Sequence, residues 1–272
     1  MWHVTLISGA QPDILGPRSG GVRSGGGSAR RDARALRRRP MTSSGWNERS
    51  FLGRLTPPAR QAVLGLGRTR TLQPGEPLMR QGEPGTSVSL LLAGRVSVTR
   101  IVENGSPSLL GIRHPGDLVG EMAVISQGVR AATVTALDRC VVSVLPARAF
   151  MKCLADVPEA MLALSRMTGD RLTQANTYRA DAAGYEVEVR LARALLYQAE
   201  QSPDREAGHP VIKLRQKQLA MLIGAQEGTV QKALNGPALR DVVDCGRGRI
   251  VLRDVGGLAR LAEMDPPPEL RT

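Results

Sequence analysis

An acidic and a basic residue, Glu121 and Arg130, stand nine positions apart in a run of small and apolar residues between Val119 and Val134. A guanidinium presents a planar fork of N–H donors that matches a phosphate, and a carboxylate offers two acceptor oxygens that suit vicinal sugar hydroxyls. Small neighbouring residues let backbone N–H groups approach an anion closely. The stretch therefore predicts a site for a ligand that carries a phosphate beside a ribose, as a cyclic nucleotide does.

This stretch resembles the phosphate-binding cassette of cyclic nucleotide-binding domains, which occur in bacterial regulators and in cyclic-nucleotide-dependent kinases. The resemblance implies that Glu121 accepts the ribose 2′-hydroxyl and that Arg130 binds the cyclic phosphate. Backbone N–H groups near Ala123 and Ala131 are then expected to complete the cradle. The positions that carry the resemblance or are expected at the ligand are Gly120, Glu121, Met122, Ala123, Arg130, Ala131, Ala132 and Thr133.

The identity of the ligand follows from one position of the cassette. Ala131 has no hydroxyl that could reach the amino group of a guanine held above the phosphate. We therefore expect cyclic AMP as the allosteric ligand in preference to cyclic GMP, with no cofactor besides it. The alternative interpretation of the same residues is a Glu–Arg pair on a surface loop of some other β-barrel.

The composition indicates the class of protein and of partner. A chain of 272 residues is long enough for about two domains with cores of their own. Its net charge is +12, with eight Arg against two Asp in residues 1–40 and nine Lys or Arg against four Asp or Glu in residues 208–260. The second of these basic regions indicates a polyanionic partner.

The cysteines and apolar runs indicate the compartment. Cys140, Cys153 and Cys245 are scattered and lack metal-ligand spacing, which favours a reducing compartment over a disulfide framework. No apolar run approaches the length of a transmembrane helix, and the first ten residues lack the charged start of a secretory signal. We therefore expect a cytoplasmic protein with no metal site and no membrane partner.

The first half of the chain changes character twice. Residues 1–45 are rich in Gly, Ser, Pro and Arg without periodicity, which predicts a disordered tail. One explanation for residues 1–40 is an upstream start-codon assignment, with Met41 as the working start. Short apolar runs then alternate with Gly- and Pro-containing turns from Thr69 to Leu145, and predict an antiparallel β jelly-roll barrel within a domain of residues 46–158. His114, beside a Pro-Gly-Asp turn, is interpreted as an ordinary turn residue.

A long helix and hinge are predicted over residues 159–184. In the resembled regulators this helix forms the dimer interface and reaches the base of the nucleotide. Counting along the helix places Asn176 and Thr177 at the base-contacting positions, and an exposed polar face is the alternative for both. The residues expected to pair with a second copy are Met161, Leu164, Met167, Leu172 and Ala175.

A second motif lies between Gln216 and Asn235. Its apolar residues follow helix-turn-helix spacing, with the small Ala220 at the helix crossing and Gly224, which tolerates positive φ, at the bend. The second helix is expected to read the major groove of double-stranded DNA, while flanking basic residues and the tip of a following hairpin meet phosphates. The candidate DNA-contacting residues are Lys213, Arg215, Lys217, Gln226, Glu227, Gly228, Thr229, Gln231, Lys232, Arg247 and Arg249.

Together, residues 46–262 resemble the cyclic-AMP receptor protein and fumarate-nitrate regulator superfamily, with the winged helix-turn-helix domain at 185–264 and a tail at 265–272. Two departures matter. Members that read the best-known operators carry Arg-Glu where this chain has Glu227–Gly228, so we expect a different operator. Gly236–Pro237 interrupts a helix that the family usually continues, which predicts a short recognition helix and weakened DNA binding.

The sequence therefore predicts an α+β protein with an N-terminal antiparallel jelly-roll barrel, a long dimerisation helix and a C-terminal winged helix-turn-helix domain. The resemblance implies a homodimeric transcriptional regulator, not an enzyme, whose effector sets DNA binding allosterically and whose further partner is RNA polymerase. One alternative keeps the DNA-binding half but has a vestigial or differently liganded barrel. A second alternative is a cyclic nucleotide-sensing regulatory subunit of an enzyme, although no nucleophile–base pair or P-loop is apparent.

Overall fold

The computed structural model describes residues 46–270, so the tail predicted for residues 1–45 lies outside the described residues, as do the last two residues. The described chain begins with tight turns that bury Phe51 and Leu52 completely. Helix α1 (Pro57–Leu64) follows, with proline in its first turn, where a missing N–H costs nothing. This leading segment packs against the strands that come next and closes one side of their core.

Eight strands between residues 68 and 146 form two antiparallel sheets, in the orders β1-β8-β3-β6 and β2-β7-β4-β5. The two sheets enclose a core to which Leu72 and Val142 contribute from one side and Val96 and Val134 from the other. The predicted jelly roll is thus confirmed as a two-sheet sandwich, without full closure into a barrel. The strands are β1 Arg68–Leu72, β2 Pro77–Met79, β3 Ser87–Ala93, β4 Val96–Ile101, β5 Pro107–Arg113, β6 Leu118–Val119, β7 Thr133–Ala136 and β8 Cys140–Pro146.

Between β6 and β7 lies the cassette, which we define as residues 120–133. Its first part is a short helix, α2 (Glu121–Ile125). Gly120, directly before it, has a left-handed backbone with φ +84°. The cassette therefore turns sharply out of the sheet before its chain returns as β7.

Two helices leave the sandwich, α3 (Ala147–Asp156) and α4 (Pro158–Gly184). The long helix α4 confirms the predicted one, but its apolar residues do not form a single stripe. Leu164 and Met167 are buried against the leading segment and α3, because that face of α4 completes the core there. Met161 and Leu172 are 46% and 62% exposed, so only this second face is open to another molecule.

The C-terminal unit contains the predicted helix-turn-helix, α6 (Gln216–Ile223) and α7 (Glu227–Asn235). Gly224 ends α6 with φ +64°, as expected for the bend. Helix α7 ends at Asn235 because Gly236 is extended and proline follows, so the predicted short recognition helix is confirmed. The remaining elements are α5 Val187–Gln201, β9 Arg205–Glu206, β10 His209–Ile212, β11 Val243–Gly246, β12 Arg249–Leu252, α8 Val255–Leu261 and a 3-10 turn at Pro268–Leu270.

Strands β11 and β12 form the predicted wing, paired antiparallel beside β10. The stretch assigned to a C-terminal tail is partly structured, since Leu270 is buried in the core of this unit. That core also includes Leu109 and Ile112 of β5, so the C-terminal unit packs directly against the sandwich. In the part of the chain described, no helix is long and apolar enough to cross a bilayer.

Candidate functional site

The guanidinium of Arg130 is buried in the cassette, with the residue 5% exposed. Its Nη1 donates to the carbonyl of Gly120 at 2.7 Å and its Nη2 to the carbonyl of Ser87 at 2.7 Å. Within residues 46–270, no carboxylate forms an ion pair with it. Burial lowers the pKa of Arg130, while the charges of Glu83 and Glu121 oppose that shift. A guanidinium has five N–H donors, so two carbonyls can fix its orientation and leave other donors for an anion.

The glycine before the cassette helix makes room for this arginine. A Cβ atom on Gly120 would lie 2.6 Å from Nη1 of Arg130, closer than real Cβ contacts allow. The same residue needs positive φ, which an L side chain rarely adopts. Position 120 therefore has two separate reasons to be glycine, and only one of them was foreseeable from turn chemistry.

Backbone hydrogen bonds tie the cassette to the loop between β2 and β3. Arg130 N–H donates to the carbonyl of Glu83 at 2.8 Å, and Gly82 N–H donates to the carbonyl of Arg130 at 2.9 Å. Gly85 N–H donates to the carbonyl of Gly128 at 3.1 Å, and a Cβ on Gly85 would lie 2.6 Å from the backbone of Ala123. The small residues of this region thus allow two loops to pack backbone to backbone, which holds Arg130 in place.

The second predicted ligand group, Glu121, is buried and paired with a residue of the long helix. Its Oε1 accepts from Nη1 of Arg171 at 2.9 Å, while Nη2 of Arg171 donates to the carbonyl of Leu118 at 2.8 Å. Arg171 was not among the site residues predicted from the sequence. Its charge on a helix face next to buried leucine and methionine was the available signal, but the partner is fifty residues away.

The other predicted ligand residues differ in their surroundings. Ala123 and Ala132 are buried, whereas Ala131 and the side chain of Met122 are exposed. Asn176 is exposed on α4, and the hydroxyl of Thr177 donates to the carbonyl of Thr173 within the same helix. The structure therefore brings Arg130, Glu121 and the small residues together, and it leaves Asn176 facing solvent.

The candidate DNA-contacting residues share one property, since the structure leaves all of them exposed on the helix-turn-helix and wing. Lys213 forms an ion pair with Asp204 at 2.9 Å, and Arg249 pairs with Glu206, so both cations are held near the wing. Val230, Ala233 and Leu234 face the core. The exposed candidates are Lys213, Arg215, Lys217, Gln226, Glu227, Gly228, Thr229, Gln231, Lys232, Arg247 and Arg249.

A polar contact joins the sandwich to the DNA-binding unit. Nη1 of Arg95, which precedes β4, donates to the carbonyl of Lys213 at 2.8 Å. The same guanidinium forms a two-pronged pair with Asp138, whose pKa it lowers. Together with Leu109 and Ile112 this contact fastens the segment before α6 to the sandwich. The orientation of the helix-turn-helix is therefore linked to the domain that carries the cassette.

Two protein-family models match the chain, one over the sandwich and one over the DNA-binding unit. Residues 69–156 match the family described as cyclic nucleotide-binding domain, and residues 189–261 match the Crp-like helix-turn-helix domain. A CRP-like cAMP-activated global transcriptional regulator from Mycobacterium tuberculosis is 30% identical over 201 residues, covering 71% of this chain and 90% of that protein. The cyclic AMP receptor protein of Thermus thermophilus is 26% identical over 208 residues, covering 76% and 94%.

Solved structures show the same fold. A CRP/FNR-family transcriptional regulator from Thermus thermophilus superposes with a TM-score of 0.61 at 26% identity, covering 72% of this chain and 98% of that one. The c-di-GMP-responsive global regulator of Xanthomonas campestris has a TM-score of 0.64 at 17% identity, covering 73% and 100%. The second likeness is one of fold alone.

Proposed function

This chain belongs to the CRP/FNR family of transcriptional regulators, and we propose that its DNA binding is set by a cyclic nucleotide held in the cassette. The single observation that carries the proposal is the state of Arg130. Its guanidinium is buried, oriented by the carbonyls of Gly120 and Ser87, and paired with no carboxylate among the residues described. A buried cation fixed in this way favours an anion, and a cyclic phosphate supplies one charge with two accessible oxygens.

The proposed nucleotide is cyclic AMP, with cyclic GMP as the weaker ligand. Ala131 offers no hydroxyl to a guanine amino group, and the Mycobacterium tuberculosis relative carries cAMP activation in its name. Ribose hydroxyls would reach Glu121, whose carboxylate has acceptor capacity beyond its bond from Arg171. Ala123, Ala131 and Ala132 would contribute backbone, and Thr177 or Asn176 the contacts to the base.

The pairing between Glu121 and Arg171 suggests how binding is transmitted. Arg171 lies in α4, so a hydroxyl that competes for Glu121 changes what holds the long helix to the cassette. We propose that α4 pairs with α4 of a second copy through its exposed apolar residues, which include Met161, Leu162 and Leu172. A change at Arg171 would then alter the relation of two DNA-binding units in a homodimer.

The proposed DNA contacts divide by chemistry. A recognition helix reaches base edges from its first two turns, and exposed polar side chains lie there on α7. They are Gln226, which caps the helix, and Glu227, Thr229, Gln231 and Lys232 within it. Basic residues before and within α6 and in the wing would meet phosphates. These are Lys213, Arg215, Lys217, Arg247 and Arg249. RNA polymerase is the further partner that a transcriptional regulator of this kind would require.

One experiment tests this proposal and its main alternative together. The full chain is titrated calorimetrically with cyclic AMP and with cyclic GMP, and random-sequence DNA selection is carried out with and without each nucleotide. The proposal predicts binding of cyclic AMP and selection of a two-fold symmetric sequence whose affinity depends on nucleotide. Selection of the same sequence without nucleotide, and no heat of binding, would favour a vestigial or differently liganded sandwich.

A further inference from the structure

A cavity of about 500 Å³ lies outside the cassette, where four parts of the molecule meet. Its walls come from the turns before α1, from the β5–β6 corner, from the long helix α4, and from α5 with the C-terminal stretch of the DNA-binding unit. Neither Glu121 nor Arg130 lines it, but Arg171 and Thr177 of α4 do, so the cavity adjoins the cassette. Residues that define its character are Arg113, His114, Met167, Tyr178, Tyr197 and Met264. The volume is in the range of about 300–1,000 Å³ that small-molecule sites occupy.

The charges around this cavity are balanced except at one position. Four of its arginines have carboxylate partners, in the pairs Arg49–Glu200, Arg54–Asp170, Arg171–Glu121 and Arg193–Asp181. Arg113 pairs with no carboxylate in residues 46–270, and its Nη1 donates only to the neighbouring carbonyl of Ile112, at 3.0 Å. The nearby carboxylates of Asp117 and Glu121 are both engaged by Arg171.

Gly111 leaves the space that the guanidinium of Arg113 occupies. A Cβ atom on Gly111 would lie 2.5 Å from Nη1 of Arg113, so a side chain at position 111 would push the guanidinium away. Beside it, Nε2 of His114 is enclosed and has no hydrogen-bond partner among the described residues. Nε2 has almost no accessible surface, so it does not face the cavity, whereas the half-buried Arg113 lines it. An unpaired cation at such a position costs free energy until an anion arrives.

The protonation states of Arg113 and His114 set the charge that the cavity presents to a ligand. Burial lowers the pKa of Arg113 to about 10 and that of His114 to about 4. At neutral pH the guanidinium is therefore charged and the imidazole is neutral. The site presents one net positive charge, at Arg113, and the aromatic rings of Tyr178 and Tyr197, which are set edge to face at 6.1 Å.

We propose that this cavity is a second ligand site for a small organic anion, adjoining the cassette but distinct from the phosphate site at Arg130. A carboxylate or phosphate of the ligand pairs with Arg113, the cation on the cavity wall that has no carboxylate partner. An aromatic or aliphatic body packs against Tyr178, Tyr197 and Met264. Because the walls belong to the sandwich, to α4 and to the DNA-binding unit, such a ligand favours the arrangement in which these parts lie together.

The test uses the full chain and two simple aromatic anions, phenyl phosphate and phenylacetate, titrated calorimetrically at constant ionic strength. The wild type is expected to bind at least one of them with one site per chain. Arg113→Met, which removes the charge but keeps a similar length, is expected to weaken that binding at least tenfold. Arg70→Met is the matched control, because Arg70 of β1 is an exposed arginine that pairs with Glu76.

Two further variants keep the outcome decisive. Met264→Trp narrows the cavity without touching an arginine and is expected to abolish binding, so the test does not depend on Arg113→Met alone. Arg130→Ala is expected to bind the probes with wild-type affinity, whatever it does to cyclic nucleotides. The assignment would be overturned if the wild type bound neither probe. It would also be overturned if Arg113→Met and Met264→Trp both bound the probes with wild-type affinity, or if Arg130→Ala lost binding.

Discussion

Oε1 of Glu121 accepts a hydrogen bond from Nη1 of Arg171 at 2.9 Å, and the two residues belong to different parts of the molecule, the cassette and the long helix. Both side chains are largely buried. Removing one member of such a pair leaves an uncompensated charge in a poorly hydrated site, whereas removing both does not. This ion pair is therefore the most direct physical link between the proposed ligand and the helix that would form the dimer.

The first prediction concerns the stability of that link. Arg171→Met should lower the free energy of unfolding by about 3 kcal/mol, because Glu121 is left buried without its partner. The double variant Glu121→Gln/Arg171→Met should recover part of the loss, as urea unfolding will show. Lys152→Met is the control, since it removes only the exposed pair with Asp156 and should leave stability unchanged. Equal stability of Arg171→Met and the wild type would mean that the pair does not hold the helix.

The second prediction separates backbone strain from contact at position 120. Gly120→Ala should abolish cyclic AMP binding and destabilise the fold, because its Cβ would displace the guanidinium of Arg130. Gly75→Ala is a matched control, since Gly75 has the same φ of +84° but nothing within 4 Å of its Cβ. Both variants carry a backbone cost of about 1–2 kcal/mol. Calorimetric titration should show wild-type affinity for cyclic AMP in Gly75→Ala. Similar affinities in the two variants would contradict a clash between a Cβ at position 120 and the guanidinium of Arg130.

The sequence was informative where a function is encoded over a short span. Gly120 to Thr133 carries the cassette, and Gly224 with the apolar spacing around it carries the helix-turn-helix, so both were predictable from local chemistry. Pro237 likewise indicated the end of α7, and the structure agrees. In each case the constraint acts between residues that are close in the chain.

Relationships across the chain were not predictable in the same way. The partner of Glu121 depends on which face of the 27-residue helix α4 meets the cassette, and helix counting gives position along the axis rather than that rotation. For the same reason the sequence could not decide between a base contact and an exposed polar face for Asn176, which the structure leaves exposed. The two-residue strand β6 is too short for a periodic signal. Whether Arg113 has a carboxylate partner depends on how all the charges around the cavity pair, so the local sequence could not predict that it is unpaired.

The third prediction concerns pH. Burial lowers the pKa of His114 to about 4, below its ordinary value of 6.5. Between these values the unfolded chain binds a proton that the folded chain does not, so the contribution of His114 to stability is intact above pH 6.5 and is lost as the pH falls towards 4. The free energy of unfolding should therefore fall between pH 7 and pH 5 in both proteins, but by about 2 kcal/mol less in His114→Asn than in the wild type. Urea unfolding at the two pH values measures both decreases. Identical losses would contradict the burial of this imidazole.

The fourth prediction addresses the DNA interface. Lys217 is exposed in the first turn of α6, where it would contact a phosphate. Lys217→Ala should weaken binding to all sequences and reduce the slope of log affinity against log salt by about one, because one fewer counterion is released. Lys152→Ala, which changes an exposed lysine on α3, should leave the slope unaltered. An unchanged slope in Lys217→Ala, measured by fluorescence anisotropy, would remove this residue from the interface.

The most direct test is calorimetric titration of cyclic AMP into the wild type and into Arg130→Ala, with circular dichroism to show that both are folded. Arg130 is the buried cation that the proposed cassette offers to the phosphate. We predict that the wild type binds and that Arg130→Ala binds roughly 100-fold more weakly or not at all, as expected when a charge-assisted contact is lost. Arg70→Ala, an exposed arginine elsewhere on the sandwich, should match the wild type. Equal affinity of Arg130→Ala and the wild type would contradict the proposed site.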